Sequence, residues 1–567
     1  MSNKFSDSIR FAGKISAVIL ILSVAVVVVA GCDFVDSLSQ YEVKVEITNL
    51  TEEEMDQLTV SAGDMTIDEF TYEDNIVKAD IGDLRGSNEI KPVLAENDEQ
   101  DFYPESVSVD VEYDGETINF NAVQEENVIR DLQDNIDDAY PGDILILDNR
   151  DFARAEISTP GLTLKSIYDM EDADVDEYSN VAGLEIKADD IKIEELNILE
   201  DSNIEISDSK DIEIKNSRIT GNNNLTGIIV ENSEVTLENN LIQYKINGIE
   251  ADNSELNLNK ETIQENSGTG IILTESSANI FASQIRDNEY GFDLTEESNL
   301  YLEDSNINSQ EKGIYARESS LEVVETVFSR NDIAIELEDI REFQLQFSEI
   351  KNSDDRGIAS AGGHLDISDT EFINNNYALD LESLEGVELN ENTINNNDYG
   401  IKLNDVSSEI QIYDNEISFN KNFGLSLQGV SGELSGNEIK ANDTEGLIHK
   451  QGGQLLVRNN YIEDNGEDGL QVEEAAVLVE LNEISYNDSA GGQFIGGEAV
   501  EESRVNENNI IENEPGLKAD IDLNGEDVEL NAEENWWGST DTEEIEAMIS
   551  GPVRYEPFAD NELEVGH

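Results

Sequence analysis

One cysteine, Cys32, stands in 567 residues, which excludes an intrachain disulfide and a cysteine-built zinc site. Histidine is nearly as scarce, with three residues. His567 is terminal, and His364 and His449 are more than three repeats apart, so a shared histidine site is not expected and each reads as a surface or turn residue. Only 33 basic residues face 128 acidic ones, a formal charge of −95. Phosphate contacts need a basic face, so nucleic acid is excluded as a partner. No long apolar run follows the first thirty residues.

The acidity is spread along the whole chain. Such self-repulsion strains a compact fold in dilute buffer, whereas at ~1 M salt the Debye length is only ~3 Å. The charge therefore predicts a protein of a salt-adapted cell; the rival is a polyanion for cations or basic partners. Apolar residues make up 38% but are regularly spaced, which argues against disorder.

Lys4, Arg10 and Lys14 precede an apolar stretch from Ile15 to Ala30, the pattern of a signal peptide. It ends in Val29-Ala30-Gly31-Cys32, which resembles a lipoprotein lipobox. The resemblance implies lipidation of Cys32, a secreted chain held at the membrane, and a position facing the exterior, or the periplasm in a diderm cell. The expected segments are a signal peptide at 1–31, a tether at 32–39, a small domain at 40–124 and a repeat array at 125–560.

Residues 40–124 alternate polar and apolar, as in Tyr41-Glu-Val-Lys-Val-Glu-Ile, Ile76-Val-Lys-Ala-Asp-Ile and Val107-Ser-Val-Asp-Val. This predicts a small antiparallel β-sandwich of immunoglobulin-like size, with a hairpin through Asp114-Gly115. Next, Ile129, Leu132, Ile136 and Ala139 fall on one helical face, a helix suited to covering an open first coil.

From about residue 200 an apolar residue recurs at steps of 21 to 23: Ile219, Ile242, Ile263, Ile285, Ile307, Phe328, Ile350, Phe372, Ile394, Ile417, Ile439, Ile462 and Ile484. A glycine followed by an apolar residue recurs at Gly227, Gly248, Gly270, Gly291, Gly313, Gly357, Gly400, Gly424, Gly446 and Gly469. Ala334 and Ala378 fill gaps, so a small side chain matters there more than a positive φ. Ser217, Asn240, Ser283, Ser305, Thr326, Asn392, Asn415, Asn437, Asn460 and Asn482 form a polar column two residues before the apolar one. A second asparagine column includes Asn266, Asn288, Asn375, Asn397, Asn420, Asn442 and Asn465. Stacked asparagines bond to their equivalents in the next coil. The fold class predicted is all-β, a parallel β-helix of about sixteen coils and a rod about 75 Å long at ~4.8 Å per coil. This coil pattern, with the opening Pro141-Gly-Asp-Ile-Leu-Ile-Leu and the ending Asn535-Trp536-Trp537-Gly538, resembles right-handed β-helix repeat proteins, the pectin-lyase-like group that includes NosD-type proteins. A short helix over Glu543–Ile549 is expected in the closing segment.

That group mixes lyases, hydrolases, epimerases, adhesins and proteins without known activity, so the resemblance implies fold more than chemistry. Motifs expected of its polygalacturonase-type members (Asn-Thr-Asp, Ser-His-Gly and Arg-x-Lys) are absent, and Asp354-Asp355 is a bare acid pair. Copper lacks a cysteine, methionine or histidine cluster. The Gly-Gly-x-Gly-x-Asp calcium repeat is absent, which leaves calcium at acidic rungs as the one cofactor open. The residue before the glycine column reads Tyr290, Lys312, Ile333, Arg356, Tyr377, Tyr399 and Phe423 over seven coils. With Arg317, Arg330 and Lys351 nearby, this predicts an aromatic and basic strip suited to an anionic polysaccharide. The alternative is aromatic stacking that packs a turn. Two functions stand: a non-enzymatic glycan-binding or adhesive surface rod, and a polysaccharide lyase, hydrolase or epimerase. Asn49, Asn224, Asn442 and Asn487 begin glycosylation sequons.

Overall fold

The computed structural model describes the β-strands between residues 43 and 122, and residues 132–565 apart from 149, 167–178, 200, 524 and 525. Cys32, Asn49, Ile129 and His567 lie outside the described residues. Contacts divide the chain into two units, residues 1–124 and 125–567.

In the first unit, Thr71–Glu73, Ile76–Ile81, Val43–Thr48, Glu116–Ala122 and Phe102–Tyr103 form a five-stranded sheet in that order. Met65–Ile67, Leu58–Ala62, Gly86–Leu94 and Val107–Val111 form a four-stranded sheet. Two expectations are corrected. Val43–Thr48 runs parallel to Glu116–Ala122, so the larger sheet is mixed. The strands flanking Asp114-Gly115 do not form a hairpin, because Val107–Val111 pairs with Gly86–Leu94 in the other sheet. Period-two patterning marks a strand but not its partner, and a turn dipeptide yields when the flanking apolar faces serve different sheets.

The second unit is a parallel β-solenoid of about eighteen turns with three faces. The first face carries strands such as Ile249–Asp252, Thr269–Thr274 and Tyr290–Thr295. The second carries Glu255–Asn259, Ser277–Phe281 and Asn299–Glu303; the third carries Thr262–Gln264, Gln284–Arg286 and Asn306–Asn308. Among the described residues, seventeen strands make up the third face. The other two are fused into one sheet where Ile333–Gln346 and Arg356–Ser368 continue around the corner without a break. The count exceeds sixteen because the coils at 144–198 do not keep the 22-residue period. They nevertheless pair in the same way, as Ile144–Leu147 does with Thr163–Ser166.

Register follows the sequence columns. Ile242, Ile263, Ile285 and Ile307 are direct neighbours on the third face, all fully buried. Each such side chain contributes about 1.5–3 kcal/mol by leaving water. The glycine column marks the closest approach of successive coils: a Cβ on Gly248 would sit 2.4 Å from the Gly270 carbonyl oxygen. Its φ is not positive, so the demand is for a small side chain, as Ala334 and Ala378 indicate.

The polar columns are two hydrogen-bonded ladders. In the first, the Asn437 backbone N–H donates to Asn460 Oδ1 at 2.9 Å, and Asn437 Nδ2 donates to Ile412 O and Asn460 Oδ1. The ladder runs on through Asn482 and Asn508 to Asn535. In the second, Asn397 binds Asn420 and Asn420 binds Asn442 in the same way. A residue with φ near +50° to +60° precedes the rung, as at Asn239, Lys260, Ala282 and Phe419. This left-handed conformation turns the chain at each corner, and the rung bonds offset its cost. Asn442 and Asn487 are ladder rungs, only 1% and 3% exposed, so in the folded chain these asparagines are inaccessible.

Both ends of the solenoid are covered. The helix α1, Leu132–Asp138, buries Leu132 and Ile136. Gln133 Nε2 donates to Glu156 O, and Gln133 Oε1 accepts from Glu156 N–H, satisfying a strand that has no coil before it. At the other end Trp537 is fully buried and Trp536 bridges to Asn509. The final helix, α2, spans Thr542–Ala547, because Ile549 pairs with Leu517 as a strand. Among the described residues no helix is long and apolar enough to cross a membrane.

Candidate functional site on the first face

The predicted strip is a true column. Tyr290 pairs with Lys312, Lys312 with Ile333, Ile333 with Arg356, Arg356 with Tyr377, and Tyr377 with Tyr399. Phe423 extends it, its ring centroid 5.4 Å from that of Tyr399. All seven are partly exposed.

A second outward column, not foreseen from the sequence, runs beside it: Asp293, Tyr315, Glu336, Ala359, Asp380, Lys402 and Ser426. It lies three residues after the first, not two. Gly291 and Phe292 are both buried, which delays the alternation by one residue. The buried pair of a glycine or alanine and an apolar residue in each of these coils is the signal that locates it.

The two columns bond to each other. Lys312 Nζ lies 2.6 Å from Glu336 Oε2 and over the Tyr315 ring at 4.5 Å. Tyr315 donates its hydroxyl to Glu338 at 2.9 Å, and burial together with that bond pushes its phenol up to about 12. Arg356 Nε donates to Asp380 Oδ2 and Lys402 Nζ to Asp380 Oδ1, at 2.8 and 2.9 Å. Arg356 also reaches Asp355, the second member of the bare acid pair. The strip's Lys312 and Arg356 are thus ion-paired within the face. Arg330 sits at a corner, and Lys351 pairs with Glu349 on the third face, so neither joins the strip.

Tyr377 and Tyr399 stack at 4.3 Å with their rings 9° from parallel. Stacked rings cover one another's faces, so the ladder offers edges and hydroxyls rather than open platforms. Asp293 differs from its neighbours. Its Oδ1 is enclosed without a hydrogen-bond partner, and burial raises its carboxyl against the pull of Arg317 and Lys312.

Elsewhere, His364 is exposed on the second face, as expected. His449 is not a surface or turn residue: it is fully buried, in register between Leu427 and Val472 of the core. Counting from Leu427 by one repeat places it in a core column.

The family model for a right-handed β-helix region matches residues 269–417 and 399–535. The model for a periplasmic copper-binding protein, NosD, matches residues 143–300. No curated protein matches. Among solved structures, a variant of the periplasmic alginate epimerase AlgG is 14% identical, with a TM-score of 0.27, over 55% of this chain and 77% of that one. The A-module of the mannuronan C-5 epimerase AlgE6 of Azotobacter vinelandii is 11% identical, with a TM-score of 0.22, over 72% and 93%. At these scores neither bears on chemistry. The donors do not fit copper either: among the described residues no three His, Cys, Asp or Glu side chains converge, and His364 and His449 occupy different environments.

Proposed function

From the premise that the chain is a right-handed β-helix repeat protein, we propose that it is an extracytoplasmic, lipid-anchored rod that binds an extended polysaccharide along its first face without altering it. The observation that carries this is the double column. Tyr377, Tyr399 and Phe423 run beside the Arg356–Asp380–Lys402 network, so hydroxyls, carboxylates and ring edges repeat at the ~4.8 Å coil rise. A polymer of sugar rings presents hydroxyls and C–H edges at a comparable period. Because Lys312, Arg356 and Lys402 are engaged by carboxylates, the face suits a hydroxyl-rich polymer better than a strong polyanion.

A glycan array probed with the full chain in molar NaCl tests this. Tyr377→Ala with Tyr399→Ala should weaken the best hit at least tenfold, about 1.4 kcal/mol. Unchanged binding with a lowered melting temperature assigns the ladder to packing alone. For the anchor, Cys32→Ala should release the protein from the membrane fraction; retention contradicts lipidation.

A second function, modification of a polysaccharide, is favoured by one observation: Asp293, raised by burial, lies within the electrostatic reach of Lys312 and Arg317, with Tyr315 opposite Asp293 in the next coil. A carboxyl raised by burial beside a phenol offers a proton donor to a bound polymer. A product assay on any array hit tests it: turnover abolished in Asp293→Asn supports catalysis, and an unchanged polymer supports binding alone.

A further inference from the structure

On the second face, successive coils place an apolar residue inward at one register position: Val387, Ile410, Leu455 and Val477 are all buried. Between Ile410 and Leu455 that position is Gly432. It is partly exposed where its neighbours are closed, and its φ is +143°. No side chain fits there, since a Cβ would lie 2.2 Å from the Ile410 carbonyl oxygen. Gly432 thus leaves the strand surface bare at this position, and a hollow of about 490 Å³ lies in front of it, its lining including Ile410 and Ile412, which themselves stay closed to solvent. This volume is within the ~300–1,000 Å³ usual for small-molecule sites.

The outward column that crosses the hollow changes character at the same place. It reads Glu322, Gln344, Asp366, Glu388, Gln411 and Glu433, and then becomes Leu456 and Leu478. Both leucines are only partly buried and both line the hollow. The rest of the rim is polar: Glu409, Gln411, Gln454 and Glu433. Arg458 donates Nε to Glu433 at 2.7 Å, and the Tyr413 hydroxyl is held by Glu388. The nearby cation is thus spoken for, and the rim is acidic.

We propose that this hollow is a binding site for a single uncharged sugar ring, seated with its C–H face on Leu456 and Leu478 and its hydroxyls on Gln411, Gln454 and Glu409. An apolar floor with amide and carboxylate acceptors around it matches a neutral pyranose. The acidic rim repels a uronate. The site lies on a different face from the aromatic ladder and does not depend on it.

The test is saturation-transfer NMR and calorimetry on the full chain in molar NaCl, with methyl α-glucopyranoside, the methyl glycoside of N-acetylglucosamine and free glucuronate as probes. One of the two neutral glycosides should bind with a Kd near or below ~1 mM, and glucuronate at least tenfold more weakly. Ser435→Trp, which fills the hollow from its lining, and Gln454→Ala, which removes one rim group, should each weaken binding at least fivefold. Circular dichroism melts confirm that both fold. Tyr377→Ala with Tyr399→Ala should leave this binding unchanged, which separates it from the ladder. Absence of binding by both neutral glycosides, preference for glucuronate, or full binding by a folded Ser435→Trp overturns the proposal.

Discussion

Glu261 occupies a rung of the first ladder where its neighbours are Asn240 and Ser283, and it is only 1% exposed. Its Oε1 accepts from the Asn240 backbone and side-chain N–H groups, both at 3.1 Å, while Oε2 is enclosed without a partner. Burial pushes its carboxyl up to about 8; the Asn240 bonds oppose this and Glu238 adds to it. The folded chain therefore holds this proton up to about pH 8, whereas the unfolded chain releases it near 4.5. The neutral rung's stabilisation is complete below pH 4.5 and is lost as pH rises through about 8. The loss is about 1.4 kcal/mol per pH unit and about 5 kcal/mol in all. Glu261→Gln keeps the rung neutral at every pH. A glutamine fits such a rung: Gln310, in the second ladder, accepts from Asn288 N–H and donates Nε2 to Ile285 O. For a solenoid of roughly 440 residues, ~5 kcal/mol corresponds to about 5 °C in melting temperature. Thermal melts in molar NaCl should show the two proteins alike at pH 4.5 and the variant about 5 °C higher at pH 9. Parallel profiles across that range would refute a protonated rung.

Three further outcomes are expected. His449, whose titration is lowered by burial, stabilises the fold above its ordinary pKa, and that contribution is lost as pH falls; His449→Leu should flatten the acid limb of the melting profile, and an unchanged limb contradicts it. Asn437→Ala strips Asn415 N–H and Ile412 O of their partners and should cost about 2–4 kcal/mol, read as faster proteolysis and a lower melting temperature, with no change contradicting the ladder's role. If the charge of −95 reflects salt adaptation, melting temperature should climb steeply from 50 mM to molar NaCl; full stability at 50 mM contradicts it.

The columns made the solenoid legible because a repeat writes each structural position many times over. Ile242, Asn437 and Gly248 each have a dozen or so equivalents, and chance substitutions such as Ala334 do not hide the period. Where the chain passes through a position once, legibility fails. Lys245, Glu261, Gln310 and Asn535 are ladder rungs that differ in type or spacing from the rest, so only the register reveals them. The strip was half legible for a related reason. Tyr290 to Phe423 stood out beside the glycine column, but Asp293, Glu336 and Asp380 belong to the next outward column. Of these, Glu336 and Asp380 take up the strip's positive charge. In residues 40–124, strands were marked by alternation, while the parallel pairing of Val43–Thr48 depends on contacts distant in sequence.

Hydroxyl-radical footprinting with an oligosaccharide from the glycan array tests the central claim most directly. Tyr377, Tyr399 and Phe423 should be protected at saturation, while Phe347 and Tyr486, each 57% exposed and away from the strip, should label as before. Unchanged labelling of the ladder, or equal protection of Phe347 and Tyr486, would contradict a polysaccharide site on the first face.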